Sequence, residues 1–191
     1  MDLTFESDRL TYRPIQLDDL DLAVALWADP DVVTYLADRT YTREELALEM
    51  PLVTRRAGDG CIGVWVIADK ATDERHGEVF LLPMPIDLDD TDWNLLDGGD
   101  IPNGPIEIGY VLRKTSWGRG YATEACRRLT QFAFEVSPLQ EIWAVTDPAN
   151  DASKNVLRKS GYKDEPLVKA YQAQLPGFRA FRAQWLAENT M

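Results

Sequence analysis

The stretch "IEIGYVLRKTSWGRGYATEACRRLTQFAFEV", residues 106–136, constrains this chain more than any other. Its first part is β-branched and aromatic and predicts a strand over 106–112. Ala125, Cys126, Leu129, Phe132, Ala133 and Val136 then recur on one face at helical spacing, and Pro138 follows, so a helix is expected over 121–136. With a further strand at "EIWAVT", 141–146, the three make a β-α-β unit. Between strand and helix, Gly118 and Gly120 flank Arg119. Ser, Thr, Asp or Asn caps a helix better than glycine does. Glycines at this entrance therefore mark either an ordinary turn or a tight loop whose backbone is closely approached. Such a junction exposes unpaired N–H groups at the positive end of the helix dipole, which suits a phosphate. Arg113, Lys114 and Arg119 add charge there. No Gly-Lys-Ser/Thr follows, so the P-loop pattern fails. Thr123 stands where the dinucleotide pattern G-x-G-x-x-G needs its third glycine.

The remaining segments supply a sheet and helices to cover it. "RLTYRP" reads as a first strand, and "LDDLDLAVALWADP" as a helix with Leu20, Val24 and Trp27 at helical spacing. Thr42 and Glu45 have capping-box spacing, and Pro51 should end or kink the helix they open. "CIGVWVIA", 61–68, and "EVFLLP", 78–83, read as strands joined by a turn that contains His76. Residues 84–105 hold six aspartates and no Lys or Arg, and read as an acidic insertion or long loop. "ASKNVLRKSG" is a short helix with Gly161 as its glycine cap, while 178–187 fits strand or helix equally. The order of elements is that of an α/β or α+β domain, one sheet with helices packed on it. A single domain over residues 1–191 is expected.

Composition excludes several functions. The net charge of −12 argues against nucleic-acid binding. No apolar run is long enough for a membrane span, and no signal peptide is read at the start. Cys61 and Cys126 give no disulfide framework, and read as small buried hydrophobes of a cytoplasmic protein. One histidine and two distant cysteines make no metal cluster, and a Ser-His-Asp triad would have to use His76. From Arg113 to Lys163, nine Lys/Arg face five acids, a net of +4 that leaves −16 for the rest. That window is either chance patchiness or an anion site in an acidic protein.

"W-G-R-G-Y-A-T-E-A" after "IEIGYVL", followed by "DPANDASKNVLRKSGY", resembles the acetyl-CoA-binding core of the GNAT superfamily of N-acetyltransferases. The resemblance spans about residues 7–165 and is greatest to the branch that holds the ribosomal-protein N-terminal acetyltransferases. The family's loop pattern, Arg/Gln-x-x-Gly-x-Gly/Ala, falls on Trp117, Gly118, Arg119, Gly120, Tyr121 and Ala122, with Trp117 departing from the first position. The resemblance implies a mixed, mostly antiparallel sheet with a splayed central strand pair. It implies that the backbone amides of residues 118 to Thr123 cradle the CoA pyrophosphate, and that Tyr110, Val111 and Leu112 offer a free strand edge to the pantetheine. Asn150 matches a pantetheine-contacting asparagine, and Asn155 is a lesser candidate.

The reaction implied is direct acetyl transfer to an amine, which needs a base for the amine and an acid for the thiolate. Glu107 points opposite to Ile106 and Ile108, away from the apolar face, and is either that base or a structural glutamate. Many relatives place a tyrosine acid where Leu157 stands here, so Ser153 is either the substitute acid or a helix cap. Tyr162 reads as a core aromatic. The acidic segment is either a solvated loop or an acceptor entrance favouring cationic amines. The acceptor, a protein N-terminus or a small amine, is left open. So is the assembly, a monomer or a homodimer using Trp93 or the C-terminal stretch. A non-catalytic acyl-CoA-binding or sensing module is the alternative function, and nucleotide binding ranks behind both.

Overall fold

A computed structural model describes residues 2–189. An eight-stranded sheet runs β1-β2-β3-β4-β5-β6-β8-β7, with β1 Phe5–Glu6, β2 Leu10–Pro14, β3 Gly63–Asp69, β4 Arg75–Pro83, β5 Ile106–Leu112, β6 Glu141–Val145, β7 Lys163–Ala170 and β8 Ala173–Phe181. All neighbours are antiparallel except β5 and β6. The helices are α1 Leu20–Trp27, α2 Pro30–Val33, α3 Arg43–Val53, α4 Tyr121–Val136, α5 Asp151–Lys159 and α6 Arg182–Asn189. The mixed, mostly antiparallel fold expected from the sequence is the one observed.

Register assigns the faces. Trp65 of β3 pairs with Val79, and Val79 with Tyr110 of β5, so all three point the same way. That face carries α4: Phe132 packs on Phe5 at 4.3 Å and edge-on to Trp65 at 5.8 Å between ring centroids. The opposite face carries α1 and displays Glu78, Phe80 and Leu82 of β4 beside Val111, Gly109 and Glu107 of β5. Both faces are covered, so the sheet is buried on both sides.

Several local expectations need correction. In α1 the buried residues are Leu22, Ala23 and Leu26, whereas Leu20, Val24 and Trp27 are half-buried. The Thr42–Glu45 capping box forms, but Pro51 stands exposed in the last turn and α3 runs on to Val53. Val136 ends the apolar stripe of α4 at 38% exposure. His76 lies within β4, fully buried, and not in the preceding turn. The ambiguous 178–187 divides between β8 and α6 at Phe181. Gly161, with φ of 90°, does follow α5. Cys61 and Cys126 are free and buried. The acidic segment is anchored: Leu96 is buried, and the N–H groups of Gly58 and Gly98 donate to Asp100 and Arg56 carbonyls. Trp93 packs partly buried against its own core.

One core feature was not read from the sequence. Glu78 is 4% exposed between β4 and α1, where the Trp27 side chain hydrogen-bonds to it. Burial, with the charge of Asp19 added, pushes its carboxyl up from an ordinary 4.5 to about 7. A carboxyl that holds its proton more tightly when folded contributes stability below its unfolded value. That stability is lost as pH rises through the folded value, here between about 4.5 and 7. The amount is on the order of 3 kcal/mol. Glu78→Gln carries no such charge, so its Tm relative to the parent should climb by several degrees between pH 5 and pH 8. A constant difference in thermal melts would show that Glu78 does not titrate in this window.

Candidate active site

The glycine loop owes its residues to backbone conformation. Gly118 and Gly120 have φ of 72° and 81°, the left-handed region costly for side chains. A Cβ on Gly118 would meet nothing within 4 Å, and one on Gly120 only the end of Arg9 at 3.4 Å. The space above the loop is open. Among the described residues no group accepts a hydrogen bond from the backbone N–H of Gly118, Arg119, Gly120, Tyr121, Ala122 or Thr123, whereas Glu124 N–H closes the first helical turn on Gly120. The helix entrance thus presents a run of unpartnered donors to that space.

Side chains brace this loop from beneath. Tyr121 stacks on His76, ring centroids 4.4 Å apart, and the guanidinium groups of Arg9 and Arg119 both lie 4.8 Å from the Tyr121 ring centre. His76 Nδ1 is 2.9 Å from Ser116 Oγ, and burial holds its pKa below the ordinary 6.5, so the ring is neutral at pH 7. Arg9 grips Glu124 through Nε and the Arg119 carbonyl through Nη1. Several cations of the basic window pair with carboxylates: Lys114 with Asp31, Lys154 with Asp151, Arg158 with Asp164, Lys163 with Glu188. Arg113 reaches the Arg75 carbonyl. What the loop itself presents to the open space is its unpartnered amides, with Arg119 beside them.

Below the loop the sheet opens. β5 pairs with β4 along its whole length, but with β6 only at Glu107–Trp143. Arg113 N–H donates to the His76 carbonyl at 2.8 Å. Antiparallel hydrogen-bonded pairs alternate, so Tyr110 and Leu112 turn their N–H and C=O away from β4, into the gap that β6 has left. The Trp117 indole donates to the Leu112 carbonyl at 2.9 Å, folding that side chain back over the strand end. Val111 differs from its neighbours, since its backbone faces Glu78 of β4. Across the gap, Asn150 caps α5 by accepting the Ser153 N–H at 3.0 Å. Ser153 is therefore not the cap, and its hydroxyl lies 3.0 Å from the Tyr110 hydroxyl. Asn155 is exposed on the surface of α5, and Leu157 and Tyr162 are buried in the core.

Glu107 sits where the strands part. Its side chain points away from Ile106 and Ile108, as expected, but this second face is also covered and Glu107 is 3% exposed. Burial drives its carboxyl up from 4.5 to about 8; Asp90 of the acidic segment pushes the same way, and the Tyr171 hydroxyl, which donates to Oε1, opposes them. Tyr171 went unread in the sequence because β7 was not recognised. Trp143, the bridge partner of Glu107, lines an open cavity of about 400 Å³ with Met84, Ile86, Glu141 and Val168. Among the described residues no group of three or more His, Cys, Asp or Glu is placed to hold a metal ion, and no helix is long and apolar enough to cross a membrane.

Residues 9–163 match the Acetyltransferase (GNAT) domain family. The chain is a GNAT acetyltransferase. It is similar to the uncharacterized N-acetyltransferase p20 of Bacillus licheniformis, with 29% identity over 88% of this chain and 87% of that one. It is also similar to the FsC-acetyl coenzyme A-N(2)-transacetylase of Aspergillus fumigatus, at 25% identity over 96% of this chain and 78% of the relative. In three dimensions it superposes on the aminoglycoside acetyltransferase AAC(6')-Ib in complex with coenzyme A with a TM-score of 0.73, at 16% identity, covering 95% and 99% of the two chains. GNAT acetyltransferases take their acetyl group from acetyl-CoA, so the donor substrate of this enzyme is known by family. Gly120→Asp places a side chain and a negative charge at the mouth of the open amides. In a folded variant, calorimetry should show acetyl-CoA binding weakened about 10- to 100-fold, the scale of one or two lost charge-assisted hydrogen bonds. Parental affinity would move the anion away from this loop.

Proposed function

We propose that this GNAT acetyltransferase transfers acetyl from acetyl-CoA directly to a primary amine, and that its acceptor is cationic. The observation that carries this reading is the alignment of three features along β5. The open amides of Gly118–Thr123 stand at one end, the unpaired edge of Leu112 and Tyr110 follows, and the buried Glu107 stands at the other end. Pyrophosphate on the loop and pantetheine along the edge would bring the thioester toward Glu107.

In this reading the amine nitrogen attacks the thioester carbonyl. A C–N bond forms, the C–S bond breaks, the nitrogen of the neutral amine gives up a proton to Glu107, the sulfur takes one from Ser153, and the proton on Glu107 returns through solvent to Ser153. A base whose proton affinity lies near the working pH suits this task, and burial brings Glu107 there. The hydroxyl of Ser153 is free of capping duty and hydrogen-bonded to Tyr110, which supports its role as the acid.

The acidic segment supports a cationic acceptor. Asp90 is near enough to act on Glu107 and Tyr171, so the negative charge of the segment reaches the reacting end of the gap. Asp87 pairs with Lys169 and Asp92 caps a turn, whereas the charge of Asp90 acts on Glu107 and Tyr171. The cavity beside Trp143 gives room for an acceptor's body. The sequence motifs of the ribosomal-protein branch favour a protein N-terminus as the second reading, while the names of the FsC transacetylase and of AAC(6')-Ib point to small molecules for those two enzymes.

A panel of polyamines, aminoglycosides and N-terminal peptides, followed by thiol release from acetyl-CoA, tests the proposal. Cationic amines should turn over, with a KM that rises with salt. The rate should climb with pH through the Glu107 midpoint near 8, and Glu107→Gln should lower turnover by on the order of 10²-fold or more at unchanged acetyl-CoA affinity. Acetyl-CoA binding without turnover of any amine would leave a binding or sensing module instead.

A further inference from the structure

The turn between β7 and β8 is built from residues that a turn of this kind does not favour. Ala170 pairs with Ala173, so the hairpin closes through Tyr171 and Gln172 alone, with φ of 52° and 58°. Two consecutive positive φ values in a two-residue hairpin normally call for Asn-Gly or Asp-Gly, and a bulky side chain there is strained. Strain of this sort persists when surrounding contacts over-determine it, and it gathers at functional sites.

Those contacts are specific. The Tyr171 N–H donates to the Pro85 carbonyl at 2.8 Å, and Lys169 pairs with Asp87, so the hairpin tip is tied to the acidic segment at two points. With the backbone pinned, the Tyr171 hydroxyl reaches Glu107 Oε1. No other hydrogen bond to this carboxyl is made among the described residues, which leaves Oε2 for a substrate proton. Turn geometry explains neither the tyrosine nor its strain, whereas delivery of a hydroxyl to Glu107 explains both.

We propose that Tyr171 is the positioning residue of Glu107: its hydroxyl fixes the carboxyl with one oxygen occupied and one turned to the acceptor. The proposal rests on Glu107 as the base. A hydroxyl donor stabilises the carboxylate, against burial and the negative charge of Asp90, the other charged group acting on Glu107. Without it the carboxyl would stay protonated to higher pH and rotate freely.

The test separates this proposal from the reading beneath it. The Glu107 carboxyl is titrated by carbon-13 NMR, its signal assigned by its loss in Glu107→Gln, in the parent and in Tyr171→Phe. The midpoint should rise in Tyr171→Phe by on the order of one pH unit. The pH profile of kcat/KM should move up by the same amount, so that activity is reduced about tenfold at neutral pH and regained at alkaline pH. The KM for acetyl-CoA should not change. Gln172→Gly relaxes the turn and keeps the hydroxyl, and should leave both midpoints in place. The double variant Tyr171→Phe/Gln172→Gly keeps the test open should Tyr171→Phe fold poorly. An unmoved Glu107 midpoint in a folded variant overturns the proposal. A midpoint that moves while the rate profile does not overturns Glu107 as the base and leaves the Tyr171 coupling standing.

Discussion

A single backbone bridge, Glu107 to Trp143, joins the two halves of this sheet. On one side of it, β1 to β5, and on the other, β6 to β8, neighbouring strands pair antiparallel throughout. Beyond the bridge β5 keeps β4 but loses β6, and a strand in a sheet interior is left with an unpaired edge. Buried backbone groups without partners are costly, so such an edge persists only where something else satisfies it. The parting lies directly below the glycine loop, whose amides are also unpartnered. One departure from regular pairing therefore leaves an open slot beside β5, directly below a loop of unpartnered amides.

The same architecture sets the electrostatics. Covering both faces of the sheet buries two glutamates on the α1 side, Glu78 and Glu107, and raises both of their proton affinities. It also buries His76, which stays neutral for the same reason and supports the loop through Ser116 and Tyr121. The raised carboxyls weaken the fold as pH rises from about 4.5 toward 8. Yet that rise is what gives Glu107 a proton affinity close to neutral pH. The burial that would suit Glu107 to the proposed base role is the same burial expected to cost stability as pH rises.

The strand-loop-helix unit was legible in the sequence because local rules agree there: β5 and α4 stand where their residues predict them, and both glycines of the loop have the conformation that only glycine adopts cheaply. Glu107 was placed on the correct side of its strand by alternation alone, but its burial depends on a face that alternation does not describe. The hairpin of β7 and β8 was hidden. β7 is an edge strand, so Lys163, Asp164, Glu165 and Lys169 can face solvent, Pro166 is accommodated at a register shift, and no apolar rhythm survives. Its turn lacks glycine and asparagine, the residues that announce such turns. Tyr171 was lost with it. Ser153 looked like a cap because it stands at a helix start; three-dimensional contact gives that task to Asn150.

We propose that the edge of β5 left unpaired by β6 and the open amides above it form one continuous site for coenzyme A. Amide hydrogen exchange with and without CoA tests it most directly, because these N–H groups have no protein partner to lose. CoA should slow exchange at Gly118–Thr123 and at Tyr110 and Leu112 together, and leave Val111, already paired with β4, unchanged. Saturating CoA that protects amides elsewhere, with exchange at the loop and along Tyr110 and Leu112 unaltered, would contradict it.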